Sequence, residues 1–272
     1  MSARIVIAKL TIFLSVLLTL VPIPGFCEEN AEELAKKLSN PIASLISVPF
    51  QNNFDCCLGS LDAHRWTLNI QPVIPLKLDN DWNLIVRTIL PVVSAPSPAI
   101  GFGDKFGLGD TLQSFFFSPQ LPTNSGLIWG VGPALLYPTA TTTGLGSQRW
   151  GAGPTVVALK QESGWTYGAL VNHVWSFAET GNAGSQVSNT FVQPFLAYTT
   201  PSAFTTTLNT ETSYDWTRHK ASVPINLQFS QLFKVGNQPV SFQFGPRYYI
   251  STFSQGPRWG LRFNLTLLFP VQ

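Results

Sequence analysis

The chain has 272 residues and a formal net charge of +2; only 11% of its residues are charged, while 12% are aromatic. A soluble domain carries about 25% charged residues, so the apolar residues here either fill a large β core or face lipid. Nothing after residue 27 approaches the run of about 20 apolar residues that a membrane helix needs, and the near-neutral balance leaves nucleic acid without an electrostatic footprint.

Arg4 and Lys9 precede an apolar run from Leu10 to Val21, and Pro22, Pro24 and Gly25 follow it. This is the order of a secretory signal peptide over residues 1–27, with cleavage expected near Cys27–Glu28. Lipidation at Cys27 is the weaker reading, because Phe26 is a poor residue before a lipidated cysteine. Loss of residues 1–27 removes Arg4 and Lys9 and no acid, so 14 basic and 14 acidic residues remain. Residues 28–40 then read as a short helix. Leu34 and Leu38 lie one turn apart, Glu32 reaches Lys36 and Glu33 reaches Lys37. Acids lead and bases follow, which suits the helix dipole, and Asn40-Pro41 ends it. Residues 28–44 are expected to plug a lumen or to lie on its periplasmic rim; a frayed terminal segment is the alternative.

Twelve segments of strand length follow: 45–54, 65–76, 82–93, 107–118, 126–138, 149–160, 164–177, 187–200, 203–216, 222–234, 239–250 and 258–270. A membrane strand needs about 9–11 residues, and bacterial barrels have even strand counts. In 66–76, Trp66, Leu68, Ile70, Ile74 and Leu76 share one face, and Asn69 and Gln71 the other. In 222–234, Val223, Ile225, Leu227 and Phe229 alternate with Pro224, Asn226, Gln228 and Ser230. Polar turns at 78–81, 161–164 and 235–238 fall on one end, and longer loops at 94–106, 139–148 and 178–186 on the other, as short periplasmic turns and longer outer loops do. Most of the eight tryptophans lie near strand ends, where aromatic girdles sit.

Trp129-Gly-Val-Gly-Pro133 recurs as Trp150-Gly-Ala-Gly-Pro154, and Gly245-Pro246 is a partial third copy. Glycine on alternate positions clears one face of a strand for curvature or for close approach of the N-terminal helix. Proline cannot donate to the ladder, so these sites need a bulge or a strand end. The last strand, Trp259 to Phe269, puts Leu261, Phe263, Leu265, Leu267 and Phe269 on one face. Arg262, Asn264 and Thr266 occupy the other, with Leu268 as the exception. A continuous apolar face opposite a polar one is what a strand between lipid and lumen needs, and an edge strand of a soluble sandwich is the alternative. Its Gly260-Leu-x-Phe-x-Leu core also looks like the signal read by bacterial barrel-assembly machinery, although Pro-Val-Gln follows the terminal aromatic.

Longer blocks carry a family resemblance: residues 40–53 (Asn-Pro-Ile-Ala-Ser-Leu-Ile-Ser-Val-Pro-Phe-Gln-Asn-Asn), 68–75, 81–85, Gly107-Leu-Gly-Asp-Thr111, 114–119, 150–154, 165–170 and Gln193-Pro-Phe-Leu196. Together they resemble the bacterial outer-membrane proteins grouped as the MetA-pathway of phenol degradation family, often labelled transporter or neuromedin U. The resemblance covers almost all of residues 34–270. It implies an outer-membrane barrel of Gram-negative bacteria and passage of small hydrophobic or aromatic compounds. Cys56-Cys57 departs from the family's pattern.

Two adjacent cysteines do not bridge to each other without strain, which leaves them free, oxidised or joined to another chain. No His/Cys cluster surrounds them, so they make a poor metal site. Enzymes built on such barrels need a histidine that activates a serine on the lipid-facing surface. His173 and Ser176 are three apart and face opposite sides, and His64 and His219 fall in loops. No serine has a recognisable nucleophile context, so the chain is read as non-enzymatic. Gly101-Phe-Gly-Asp and Gly107-Leu-Gly-Asp lack the lysine and helix of a phosphate loop, and no cofactor is implied.

The sequence therefore specifies an all-β fold: a transmembrane antiparallel β-barrel of about 12 strands over residues 45–272, with a short N-terminal helix. Arg87, Asn226, Gln228, Gln243, Arg247 and Arg262 are the candidate lumen-lining residues, Arg258 is placed there too, and Glu162, Glu211 and Asp215 are acids elsewhere. These groups either line a passage or hold the barrel through an inward network. A barrel of this size is nearly filled by its side chains and a helix, which argues against an open general porin. The expected role is a channel for small hydrophobic or aromatic solutes; a structural or signalling barrel without flux is the alternative. Expected partners are outer-membrane lipid, the assembly machinery and a small hydrophobic solute, with no nucleic acid.

Overall fold

The computed structural model describes residues 31–97, 103–180, 186–253 and 255–270. The signal-peptide reading, Gly101 and part of the 178–186 loop lie outside the described residues. Helix α1 (Ala31–Leu38) comes first, with Glu32–Lys36 and Glu33–Lys37 pairs along its side. Twelve strands follow, three of them interrupted: β1 (Leu45–Leu58), β2 (Ala63–Ile70, then Val73–Lys77), β3 (Trp82–Ala95), β4 (Lys105–Leu108, then Thr111–Pro119), β5 (Leu127–Tyr137) and β6 (Arg149–Glu162). Then come β7 (Trp165–Glu179), β8 (Ser188–Thr199), β9 (Phe204–Thr210, then Thr212–Asp215), β10 (Lys220–Val235), β11 (Gln238–Ser251) and β12 (Trp259–Pro270).

Each strand pairs antiparallel with its sequence neighbours, and β12 returns to β1 from Leu45↔Pro270 to Cys56↔Trp259. The sheet is therefore a closed 12-stranded barrel with no free edge. Alternation decides what faces where. On β12, Arg262 and Thr266 are buried inside while Leu265 is exposed outside; on β10, Asn226 and Gln228 point in while Leu227 and Phe229 point out. Aromatic pairs mark both ends of this outer band. Trp82–Trp129 and Trp165–Tyr198 lie towards the end that holds the termini, and Tyr137–Trp150 and Tyr214–Trp216 lie towards the other. A band of apolar side chains between aromatic girdles is the surface of an outer-membrane barrel.

The repeated Gly-Pro motif lies on the neighbouring strands β5 and β6, where Pro133 and Pro154 stand opposite each other. Each proline interrupts the ladder on its far side. Pairing of β4 with β5 lapses between Ser114↔Ala134 and Phe117↔Val131, and that of β6 with β7 between Ala152↔Trp175 and Thr155↔Asn172. Gly245-Pro246 does the same between β10 and β11. A Cβ on Gly132, Gly153 or Gly245 would run into a carbonyl oxygen of the adjoining strand, of Phe115, His173 and Leu227 respectively. The glycines thus let the backbones close in where proline has removed a donor.

Leu268, the break in the polar face of β12, is fully buried against α1. It belongs to an apolar cluster with Leu34, Ala35, Ala43, Leu45, Ala203 and Leu232. The helix lies inside the barrel mouth at the end that holds the termini.

Candidate functional site

Eight residues are too few for a helix to hold by itself, so α1 depends on its seat. Leu34 and Ala35 supply the buried face, and Leu38 packs beside them. Gln161 on β6 donates its side-chain amide to Lys36 O at 2.8 Å, tying the helix to the opposite wall. Beyond the helix the chain crosses the lumen. Ile42 buries itself among Ile85, Phe116, Val157, Leu159 and Leu170. It reaches that place because Gly130 has no side chain: a Cβ there would stand 3.3 Å from Ile42 Cδ1 and 3.2 Å from Phe116 Cβ.

Deeper in the lumen a belt of charge ties β1, β2, β9, β11 and β12 together. Arg262 donates from Nη1 and Nη2 to the two Glu211 oxygens at 2.8 and 2.6 Å, and from Nε to Asn53 Oδ1 at 2.8 Å. This is the bidentate form of a charge-assisted bond. Arg247 lies 3.8 Å from Glu211 and 3.9 Å from Asp55, with its guanidinium 5.4 Å from the centre of the Tyr249 ring. Asp55 also accepts from the Tyr249 hydroxyl at 2.8 Å and from Arg65 at 3.0 Å. Glu211 occupies the interruption in β9, between Thr210 and Thr212.

Between belt and helix lies a cavity of about 210 Å³. Leu38, Pro41 and Ala43 line it beside the helix, and its walls mix apolar Leu45, Val73, Phe195 and Leu232 with polar Ser47, Gln193, Thr205, Ser230, Ser241 and Thr266. Gln51, Gln71, Arg87, Glu211, Gln243, Arg262 and Asn264 give it a polar roof. Of the lumen candidates read from sequence, Arg87, Gln243 and Arg262 line this cavity. Asn226, Gln228 and Arg247 are buried on the inward face, and the Gln228 amide makes no hydrogen bond within the protein.

Several expectations need correction. Arg258 is exposed in the loop before β12 rather than lumen-facing, because the strand read as 258–270 begins only at Trp259. Glu211 is not apart from the arginines but is their central partner. Asp55 was missed because β1 was ended at residue 54, whereas it runs to Leu58. Cys56 and Cys57, read as unable to pair without strain, form a disulfide with each other, with Cys57 at φ 68°.

Histidine and serine do meet on the outer surface. His173 on β7 faces Thr190 on β8, with Nδ1 2.7 Å from Thr190 Oγ1, and Ser188 Oγ lies 3.4 Å from Nε2. Thr190 Oγ1 also accepts from Trp216 Nε1 at 2.8 Å. Among the described residues no group of three or more His, Cys, Asp or Glu is placed to hold a metal ion.

No known protein-family pattern matches the sequence, and no curated protein is similar to it in sequence. Solved structures are similar in fold. An outer membrane channel from Pseudomonas putida aligns over 83% of this chain and 94% of its own, at 16% identity and a TM-score of 0.64. Outer membrane phospholipase A from Escherichia coli aligns over 83% and 90% at 10% identity, with a TM-score of 0.47. LpxR from Salmonella typhimurium aligns over 82% and 100% at 11% identity, with a TM-score of 0.42. The non-enzymatic reading therefore does not stand. The serine weighed against His173 in the sequence is Ser176, but Ser188 on the neighbouring strand stands within reach of His173, so the histidine does have a serine beside it.

Proposed function

We propose that the protein is a narrow outer-membrane channel for small hydrophobic or aromatic solutes, closed at its periplasmic mouth by residues 31–44. The observation that carries this reading is the cavity between α1 and the charged belt, whose lining mixes apolar side chains such as Leu45, Val73, Phe195 and Leu232 with polar and charged ones. Its volume falls below the roughly 300–1,000 Å³ of pockets for drug-sized ligands, which suits a single ring. The fold shared with the Pseudomonas putida channel and the resemblance to the phenol-degradation family support the same role. Outer-membrane lipid is the solvent of the outer band, and the assembly machinery reads β12. The test is passage of ions and of benzenesulfonate, which lipid excludes, through liposomes that hold the mature protein with and without residues 28–44. Passage that appears or rises on truncation supports a plugged channel; no passage in either form, with the barrel folded by heat-modifiable gel mobility, overturns it.

A second reading rests on Ser188 and His173. With Nδ1–H donated to Thr190, Nε2 is free to take the Ser188 proton as Oγ attacks an ester carbonyl. His173 would then protonate the leaving alcohol, and water would release the acid. His173 is eight residues along β7 from Trp165, about 20 Å up a strand tilted by 35–45°. It stands there beside the outer-end aromatics, packed on Trp175 and sharing Thr190 with Trp216. Turnover of a short-chain phospholipid in micelles that is lost in Ser188→Ala supports hydrolysis; equal or absent turnover in both proteins overturns it.

A further inference from the structure

We infer that the lumen cavity selects small amphipathic anions, a single ring or short chain bearing one carboxylate, and that Arg87 is the residue that selects them. This rests on the channel reading above and names its solute class. Arg87 projects from β3 into the cavity, where its one side-chain hydrogen bond among the described residues runs from Nη2 to Gln71 Oε1 at 3.0 Å. Among the described residues no carboxylate lies within ion-pair distance of it, and Glu211 acts on it only at longer range. The other belt arginines are committed: Arg262 to Glu211 and Asn53, Arg65 to Asp55, Arg247 to both acids. Four guanidinium groups thus share two carboxylates, and of the two that face the cavity, Arg87 and Arg262, Arg87 is the one with no carboxylate at ion-pair distance among the described residues.

A guanidinium presents five donors in a fixed fork that matches a carboxylate. Gln71 uses one of these, so a carboxylate entering the cavity meets donors not yet engaged by the protein. Away from bulk water the attraction between such charges is stronger than at a protein surface. The remainder of an aromatic or short aliphatic acid would lie against Leu45, Val73, Phe195 and Leu232, whose side chains offer no polar partner. A neutral ring gains only the apolar contact, and an ammonium-bearing ring meets a like charge. The volume of about 210 Å³ limits the solute to about one ring.

The test is equilibrium binding of three probes of similar size to the mature, detergent-solubilised protein at pH 7.5: benzoate, benzamide and benzylammonium. Benzoate is expected to bind at least about tenfold more tightly than benzamide, the span of a charge-assisted hydrogen bond, and benzylammonium more weakly than either. Arg87→Gln should bring benzoate to the level of benzamide and leave benzamide unchanged. Equal binding of the three probes by the wild-type protein, or an anion preference that survives in Arg87→Gln, overturns the inference. The wild-type comparison needs no variant, so it decides even if Arg87→Gln fails to fold. Arg87-dependent benzoate binding without passage in either liposome preparation would sink the channel and leave the anion site. Passage without an anion preference would do the reverse.

Discussion

Leu34 is the anchor whose loss should open the barrel mouth. It is 2% exposed, set among Leu45, Ala203, Leu232 and Leu268. Leu34→Ala removes three buried carbons at about 0.8 kcal/mol each, so docking of the helix weakens by about 2.4 kcal/mol. That figure sits at the lower end for core leucine truncations, as suits a site that adjoins a cavity. It multiplies the undocked population about fiftyfold. Lys36 and Lys37 lie on α1 and provide trypsin sites that the docked helix shields by its fold. When opening and closing are fast relative to cleavage, the cleavage rate follows the undocked population. Limited trypsin digestion of the folded protein in detergent should therefore release residues up to 36 or 37 about fiftyfold faster in Leu34→Ala, while the barrel stays heat-modifiable. A change of less than about threefold, in a folded protein, would refute the view that this apolar seat holds the plug.

Gly130→Leu should displace Ile42 and likewise speed tryptic release of the helix, and adding Ile42→Ala should slow it again. Glu211→Gln leaves Arg262 and Arg247 without their shared counter-ion and should cost about 3 kcal/mol, the low end for breaking a buried pair because the carboxylate keeps some contact with the lumen; the urea midpoint of the vesicle-inserted barrel measures it. Gly153→Ala drives a methyl group into the His173 carbonyl and should lower the temperature at which gel mobility changes, whereas Gly103→Ala, with open space around its Cβ, should not. Alkylation followed by intact mass measurement should find Cys56 and Cys57 blocked until a reductant is added, and both labelled afterwards.

The barrel was legible because strands between lipid and lumen leave a period of two, repeated here over segments of membrane-spanning length. Turn chemistry separated the twelve strands, and even Leu268 was visible as a defect in the alternation. What remained hidden was height. Alternation says that Arg262 faces inward but not that Glu211, read as lying elsewhere, is its partner, since their bond depends on shear and strand offset. The pairing of His173 with Ser188 was hidden for the same reason: it crosses from β7 to β8 and exists only in one register. Arg258 was misplaced because the last strand was begun one residue too early. Asp55 was lost because the first strand was ended at residue 54, although it runs on to Leu58.

The seat of the helix joins residues from the two ends of the barrel's chain. Leu34 and Leu45 come before or at the first strand, and Leu268 is on the last. Until β12 zips onto β1, one wall of that seat is missing and the segment has nowhere to settle. The event that removes the last free edge is thus also the one that completes the seat of the helix, so α1 can dock only in a barrel that has already closed.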